Sequence, residues 1–286
     1  MGNKKQKIFN AVQFTFGSFG ELSLNVTVLR GEKNRGSILY FHGGGFLYGQ
    51  RQDLPSFYQD QLLAAGFNLY LFDYPLAPEV DLTDIYSCAK MAVQWFLTKG
   101  WQLSGAESKD YFLFGRSSGG YLATLLTAHL PHLEQKGLIR FYGYQELFQK
   151  EFIFPSAYYN QFPKVSPLDA QELIGNQPMS QGSLEKRFPL YLSARQYGNW
   201  QSYLGTREKL KALEINRASY KKFPPCFLAH CKNDPDVPFS CSTILANLVP
   251  LKETVWLDLQ QHDFDRSQNH VANTCYNQLI DWLTTS

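Results

Sequence analysis

Gly115-Arg116-Ser117-Ser118-Gly119 fits the pattern G-x-S-x-G, and it stands where an apolar run, YFLFG, meets a helical run, SSGGYLATLLTAHL. A serine on such a turn is exposed and held tightly. The flanking glycines let backbones approach closely, and the helix N-terminus behind the serine favours negative charge in front of it. These are the needs of a nucleophile. His42-Gly43-Gly44-Gly45 follows another strand-like run. Three successive glycines can point their N–H groups into one cavity, as stabilising an oxyanion requires. Read without chemistry, the first motif is a glycine-rich strand–helix turn and the second a flexible loop. The second is much the rarer by chance, and together they favour a serine nucleophile.

A nucleophilic serine needs a base, and the base needs an orienting carboxylate. In a sheet of this type they follow in the order serine, acid, histidine, each just past a strand. Asp234 and Asp236 both lie in the short loop after CFLAHC, and His262 lies in the loop after TVWLDL. Asp234 is the preferred acid and Asp236 the alternative. The other histidines read differently. His42 belongs to the glycine motif, His129 and His132 flank the break at Pro131, His230 sits inside a strand as a core histidine, and His270 lies a few residues into the last helix.

Positioning these residues takes strands that alternate with helices. ELSLNVTVLRG alternates with period two and reads as a strand paired with SILYF, the run leading into the glycine motif. FNLYLFDY, YFLFG, LIRFYG, CFLAHC and TVWLDL read as further strands. Helices are expected at about 54–65, 82–99, 117–130, 240–248 and 267–283. This order predicts a mainly parallel, eight-stranded α/β sheet with helices on both faces and ligands at the carboxyl ends of its strands. About 144–222 differs in character. Residues 141–162 hold nine aromatics in no clean period, and Ser166-Pro167-Leu168-Asp169 then offers a helix start with Ser166 as cap. Two helical stretches follow, near 184–197 and 206–215. The expectation is one domain over 1–286 with an aromatic-rich cap inserted at about 144–222.

Composition narrows the function classes. Lys+Arg 27 against Asp+Glu 25 gives a formal charge of +2 over 286 residues, without the basic concentration that nucleic acid or an anionic membrane surface calls for. Hydrophobic residues at 44% suit a globule. No run approaches the roughly 20 apolar residues of a membrane helix. MGNKKQKIFNAVQF lacks an apolar h-region and a cleavage site, and Gln6 stands where a myristoylation motif on Gly2 wants Ser or Thr. The five cysteines are scattered and read as reduced thiols, so the expected location is cytoplasmic.

FHGGGFLYG, DYPLAPE, GRSSGG, DPDVP and HDF, in that order from residue 42 to residue 264, resemble the α/β-hydrolase fold carboxylesterases and lipases of the hormone-sensitive lipase type. The resemblance implies Ser117 as nucleophile, Asp234 as acid and His262 as base. It also implies an oxyanion hole from the N–H groups of Gly44, Gly45 and Ser118, a buried structural role for Glu79 and a loop-bracing role for His42. Three departures stand out: Arg116 and Ser118 where the family commonly has Asp and Ala, Pro75 where it has Arg, and a short start. Arg116 suggests either a preference for anionic substrates or a pairing with a structural carboxylate.

The implied function is that of a serine carboxylesterase, acting on small or medium acyl esters, acetyl esters included, through an acyl-enzyme, with no metal or organic cofactor. Arg116, Phe46, Phe152 and Tyr158 are candidate pocket residues. Phe148, Phe154, Tyr159 and Trp200 join them as aromatic walls above Ser117 or as anchors of the cap. The expected partner is a small ester, with no nucleic acid and no membrane insertion, and a homodimer is left open. Two alternatives stand beside it: a catalytically silent binding protein on the same fold, and a serine peptidase of the prolyl oligopeptidase type.

Overall fold

The computed structural model describes residues 11–131 and 133–285. Gly2 and Gln6, on which the N-terminal reading turned, and His132 lie outside the described residues. Eight strands, β1 (Ala11–Phe19), β2 (Leu22–Leu29), β3 (Ser37–Phe41), β4 (Asn68–Phe72), β5 (Tyr111–Arg116), β6 (Gln135–Phe141), β7 (Cys226–Cys231) and β8 (Lys252–Leu257), form one sheet in the order β1-β2-β4-β3-β5-β6-β7-β8. Pairing is antiparallel for β1–β2 and β2–β4 and parallel from β4 to β8.

Burial explains the pattern of the strands. Every residue of β3, β4, β5 and β7 is buried, because helices cover both faces, so these strands read as continuous apolar runs. Ile85 of α2 (Leu82–Thr98), Leu122 of α3 (Ser118–His129) and Leu245 of α8 (Ser240–Leu248) share one core. Leu62 of α1 (Ser56–Ala64) and Leu279 of α9 (His270–Thr285) belong to the other.

Two details depart from expectation. The strand β1, AVQFTFGSF, lies in a stretch with no strand expected, and β2 pairs with β1 and β4 instead of β3. β1 is an edge strand in which Phe16 alone is fully buried, and its register slips between Thr15 and Gly17. A bulge of this kind breaks the alternation by which a strand is recognised. The β2–β3 pairing fails because β4 occupies the place between them.

Between β6 and β7 the chain builds a separate layer with four helices, α4 (Lys150–Ile153), α5 (Pro167–Gln171), α6 (Leu184–Tyr197) and α7 (Arg207–Ala212). The α5 start is the one the sequence signals: Ser166 Oγ accepts from Asp169 N at 3.1 Å, with Pro167 at the first helical position. Ser183 caps α6 in the same manner. Along α6, Arg187, Tyr191 and Arg195 recur every four residues, so all three face one way, and all three are buried.

Candidate active site

The loops at the carboxyl ends of β3, β5, β7 and β8 converge. Ser117 sits between β5 and α3 with φ +53° and ψ −120°, a conformation that a residue with a side chain adopts only at a cost. The glycines make that turn feasible by contact distance. A Cβ at Gly115 would fall 2.0 Å from Gly119 O, and one at Gly119 would fall 2.1 Å from Phe41 O. Strand β5, helix α3 and the loop after β3 therefore meet with no room for a side chain. The Ser117 carbonyl accepts from Gly120 N at 2.9 Å and starts the helix.

From Ser117 a chain of polar contacts runs inward. Ser117 Oγ lies 2.9 Å from His262 Nε2, and His262 Nδ1 lies 2.7 Å from Asp234 Oδ2. The Asp234 side chain is fully buried. Its Oδ1 accepts the backbone N–H groups of Asp236 at 2.8 Å and Val237 at 2.9 Å. Burial pushes the Asp234 carboxyl up, but His262 and His230 outweigh it and hold the group well below the usual carboxylate range. Burial also disfavours the His262 imidazolium, but Asp234, with Asp236 and Asp263 adding to it, holds its pKa above that of a free histidine. The serine is thus within reach of a base whose tautomer is set by a buried carboxylate, an arrangement suited to nucleophilic attack.

Of the two aspartates, only Asp234 meets Nδ1. Asp236 accepts from Tyr191 Oη at 2.8 Å and pairs with Arg195, both from α6, and its Oδ2 is 3.7 Å from His262 Nε2. His230 is buried within β7, as a core histidine should be, yet its Nε2 lies 3.0 Å from Asp234 Oδ2. Sequence reasoning missed that contact. The available signal was its place four residues before Asp234, at the end of the same strand.

The loop His42–Gly45 is braced from below. The His42 ring stacks on Tyr74 at 4.1 Å, and its Nδ1 lies 2.8 Å from Gly43 O. Trp200 donates Nε1–H to Gly45 O at 2.9 Å, and the Tyr191 ring closes against Gly45, where a Cβ would fall 2.4 Å from it. Gly44, at φ +106°, sits where glycine is favoured. Among the described residues none accepts the N–H of Gly44, Gly45 or Ser118. Glu79, nearly inaccessible, pairs with Arg187, which also donates to Leu47 O at 2.8 Å and so ties α6 to the same loop.

Arg116 is buried in a network of its own. Its Nε donates to Tyr142 Oη at 2.8 Å, its Nη1 to Asp53 O at 3.0 Å, and its Nη2 pairs with Asp265 at 2.7 Å. Tyr142 and Tyr276 also donate to Asp265. This is the structural pairing, the second of the two readings for Arg116. The network links the Ser117 turn to the His262 loop, and Tyr142 also sets its ring edge on His262 at 4.8 Å.

A cavity of about 370 Å³ opens at Ser117 and His262, lined by Gly43, Gly44, Tyr48, Asp53, Leu184 and Arg266 among others, and of the pocket candidates Arg116 borders it while keeping its guanidinium bonded in the network above. The remaining pocket candidates lie apart from it. Phe46 is fully buried against Tyr74 and Tyr121, and Phe152 packs with Tyr144 and Trp200. Tyr158 lines a neighbouring cleft that shares His262 and Arg266. A roomier cavity of about 590 Å³, between Tyr121, α7 and α8, contains none of Ser117, Asp234 and His262.

Known proteins share this fold. The family model described as alpha/beta hydrolase fold matches residues 38–239. Arylacetamide deacetylase-like 2 of Homo sapiens is 31% identical over 106 residues, which is 36% of this chain and about a quarter, 26%, of the relative's length. A protein with unknown function from Staphylococcus aureus has a crystal structure that superposes with a TM-score of 0.86 at 28% identity, covering 96% of this chain and 98% of the other. A thermostable esterase from Pseudomonas putida superposes at 0.69 with 17% identity, over 97% and 83% of the two chains, a likeness of fold. Among the described residues no helix is long and apolar enough to cross a membrane.

Proposed function

The chain belongs to the alpha/beta hydrolase fold family, and from that premise we propose that it is a serine carboxylesterase acting on small or medium acyl esters, acetyl esters included. The observation that carries the reading is the unbroken chain Ser117 Oγ–His262–Asp234 at 2.9 and 2.7 Å. The name of the human relative, arylacetamide deacetylase-like, supports removal of acetyl groups, though the bond it names is an amide.

In this mechanism Ser117 Oγ bonds to the ester carbonyl carbon as its proton passes to His262 Nε2, and Asp234 holds the Nδ1–H. The carbonyl oxygen, now an oxyanion, is received by the N–H groups of Gly44, Gly45 and Ser118, at the N-terminus of α3. Collapse breaks the bond to the alcohol, which takes the proton from His262. Water then loses a proton to His262 and attacks the acyl-serine, and the acid departs as Ser117 is reprotonated. Residues 144–222 act as the cap. Its Trp200 and Tyr191 brace the glycine loop, and Tyr144, Phe152 and Trp200 pack together as the buried anchor of that brace.

The test is hydrolysis of p-nitrophenyl esters from acetate to decanoate by wild type and Ser117→Ala. Turnover lost in the variant supports the reading. A well-folded wild type that turns over none of them refutes it.

A further inference from the structure

The acid of the site is shared. Asp234 Oδ2 faces two imidazoles, His262 Nδ1 at 2.7 Å and His230 Nε2 at 3.0 Å. The protonation of His230 follows from its neighbours. Its Nε2 also lies 3.0 Å from Val237 O, so both groups facing that nitrogen can only accept, and Nε2 must carry hydrogen. Its Nδ1 lies 2.7 Å from Ser242 Oγ on α8, whose hydroxyl is free to donate to it. Phe239 sets its ring at right angles to the imidazole at 5.8 Å, and His230 and Ser242 are both fully buried. Burial holds His230 below the ordinary histidine range, so it stays neutral and keeps the Nε2–H form.

We propose that His230 is a positioning residue of this site: its Nε2–H, given to the same oxygen that His262 uses, locks the Asp234 carboxylate and moderates its pull on the His262 proton. The inference rests on the esterase reading only for its kinetic consequence. Each carboxylate oxygen then accepts two hydrogen bonds, Oδ1 from backbone and Oδ2 from the two histidines, so the hydrogen-bonding capacity of the anion is filled. An anion that already accepts three other donors is a weaker partner for the charge on His262, the imidazolium that forms during attack. Serine 242 contributes by holding His230 in the donating tautomer.

The groups facing the two histidines come from several elements. His262 meets Asp234 and Asp236 from the loop before α8, Ser117 from the β5–α3 turn, the Tyr142 ring after β6, and Asp263, itself paired with Arg266. Asp236 is neutralised by Arg195 of α6. His230 meets Asp234, Ser242 and, through their common acceptor, His262. Of all these, His230 is the neutral donor whose removal changes the load on Asp234 without adding or deleting a charge.

The test compares wild type with His230→Leu, His230→Gln and Ser242→Ala by two readouts. The first is an NMR titration of the His262 ring nitrogens, which needs no turnover. The second is the pH profile of kcat/KM on p-nitrophenyl acetate. In His230→Leu the His262 midpoint and the acidic limb should both move up by roughly half a unit to one unit, with kcat down about tenfold, and the amide of His230→Gln should restore most of both. Ser242→Ala should move them the same way by less, and it serves as the probe if His230→Leu does not fold. A His262 midpoint that is unchanged or lowered in a folded variant overturns the proposal. Shifted midpoints in a protein with no esterase turnover would sustain the positioning role and refute the esterase reading.

Discussion

Arg116→Met separates the two things an arginine beside a nucleophile can do. The variant keeps the stem and deletes the guanidinium, leaving Asp265 buried with only the hydroxyls of Tyr142 and Tyr276. Removing one partner of a buried pair costs about 3–5 kcal/mol, because the remaining charge is left uncompensated. At roughly 2 cal/mol/K of unfolding entropy per residue, a chain of this length has about 0.6 kcal/mol/K, so the apparent melting temperature should fall by about 5–8 °C. Arg116→Met/Asp265→Leu, which removes both charges, should recover most of that loss. The network also tethers the Ser117 turn to the His262 loop, so kcat in the single variant should fall about tenfold through looser geometry. Substrate choice should not move: the ratio of kcat/KM for an acetyl ester to that for a hemisuccinate ester should stay within about twofold, since the guanidinium is already bonded to Tyr142, Asp53 and Asp265. Scanning calorimetry and steady-state kinetics on both esters make the check. A selective loss of the anionic ester, with little change in melting temperature, would refute the reasoning and make Arg116 a substrate ligand.

Asp234→Asn should lower kcat by about a thousandfold or more with little loss of fold, because the amide favours the wrong tautomer of His262. Asp236→Asn should do the reverse, leaving Arg195 buried without its carboxylate, so that urea denaturation registers a loss of about 3–5 kcal/mol while kcat changes far less. The pH dependence has a definite sign. His262 must be neutral to accept the serine proton and its pKa is raised, so the acidic limb of kcat/KM should lie above the roughly 6.5 of a free histidine. By the same linkage, the stability that the His262–Asp234 pair contributes is fully present below about pH 6.5 and declines as pH rises through the folded value of about 9, which melting curves across that window would record. Gly119→Ala places a methyl group against Phe41 O and should leave little folded protein, judged by soluble yield and circular dichroism, whereas Gly105→Ala, with no atom within 4 Å of its Cβ, should be limited to the mild strain of its left-handed φ.

Strands and loops were legible to different degrees. β3, β4, β5 and β7 announced themselves as short apolar runs because both of their faces are covered, and α6 and α8 fall where their residues alone placed them. β1 escaped, because an exposed edge strand with a bulge carries little burial to pattern it. The same divide runs through the site. Ser117 and the glycines around it are largely a local matter: the turn, its positive φ and the close approach of Gly115 to Gly119 belong to five consecutive residues, so the motif stands in the sequence.

What residue order alone determined was therefore the succession of elements, the Ser117 turn, the glycine loop and the loops that hold His262 and the two aspartates. Which aspartate meets His262 depended on packing, since Arg195 and Tyr191 of α6 draw Asp236 away and two backbone N–H groups hold Asp234 in place. The fate of Arg116 depended on a residue 149 positions further along, and that of His230 on a helix that comes after its own loop. Hydrogen-bond partners of buried charges are chosen by desolvation: whichever acceptor the fold brings within reach must be taken, because an unpaired charge inside the protein is too costly to leave. That choice exists only once the chain has closed around it.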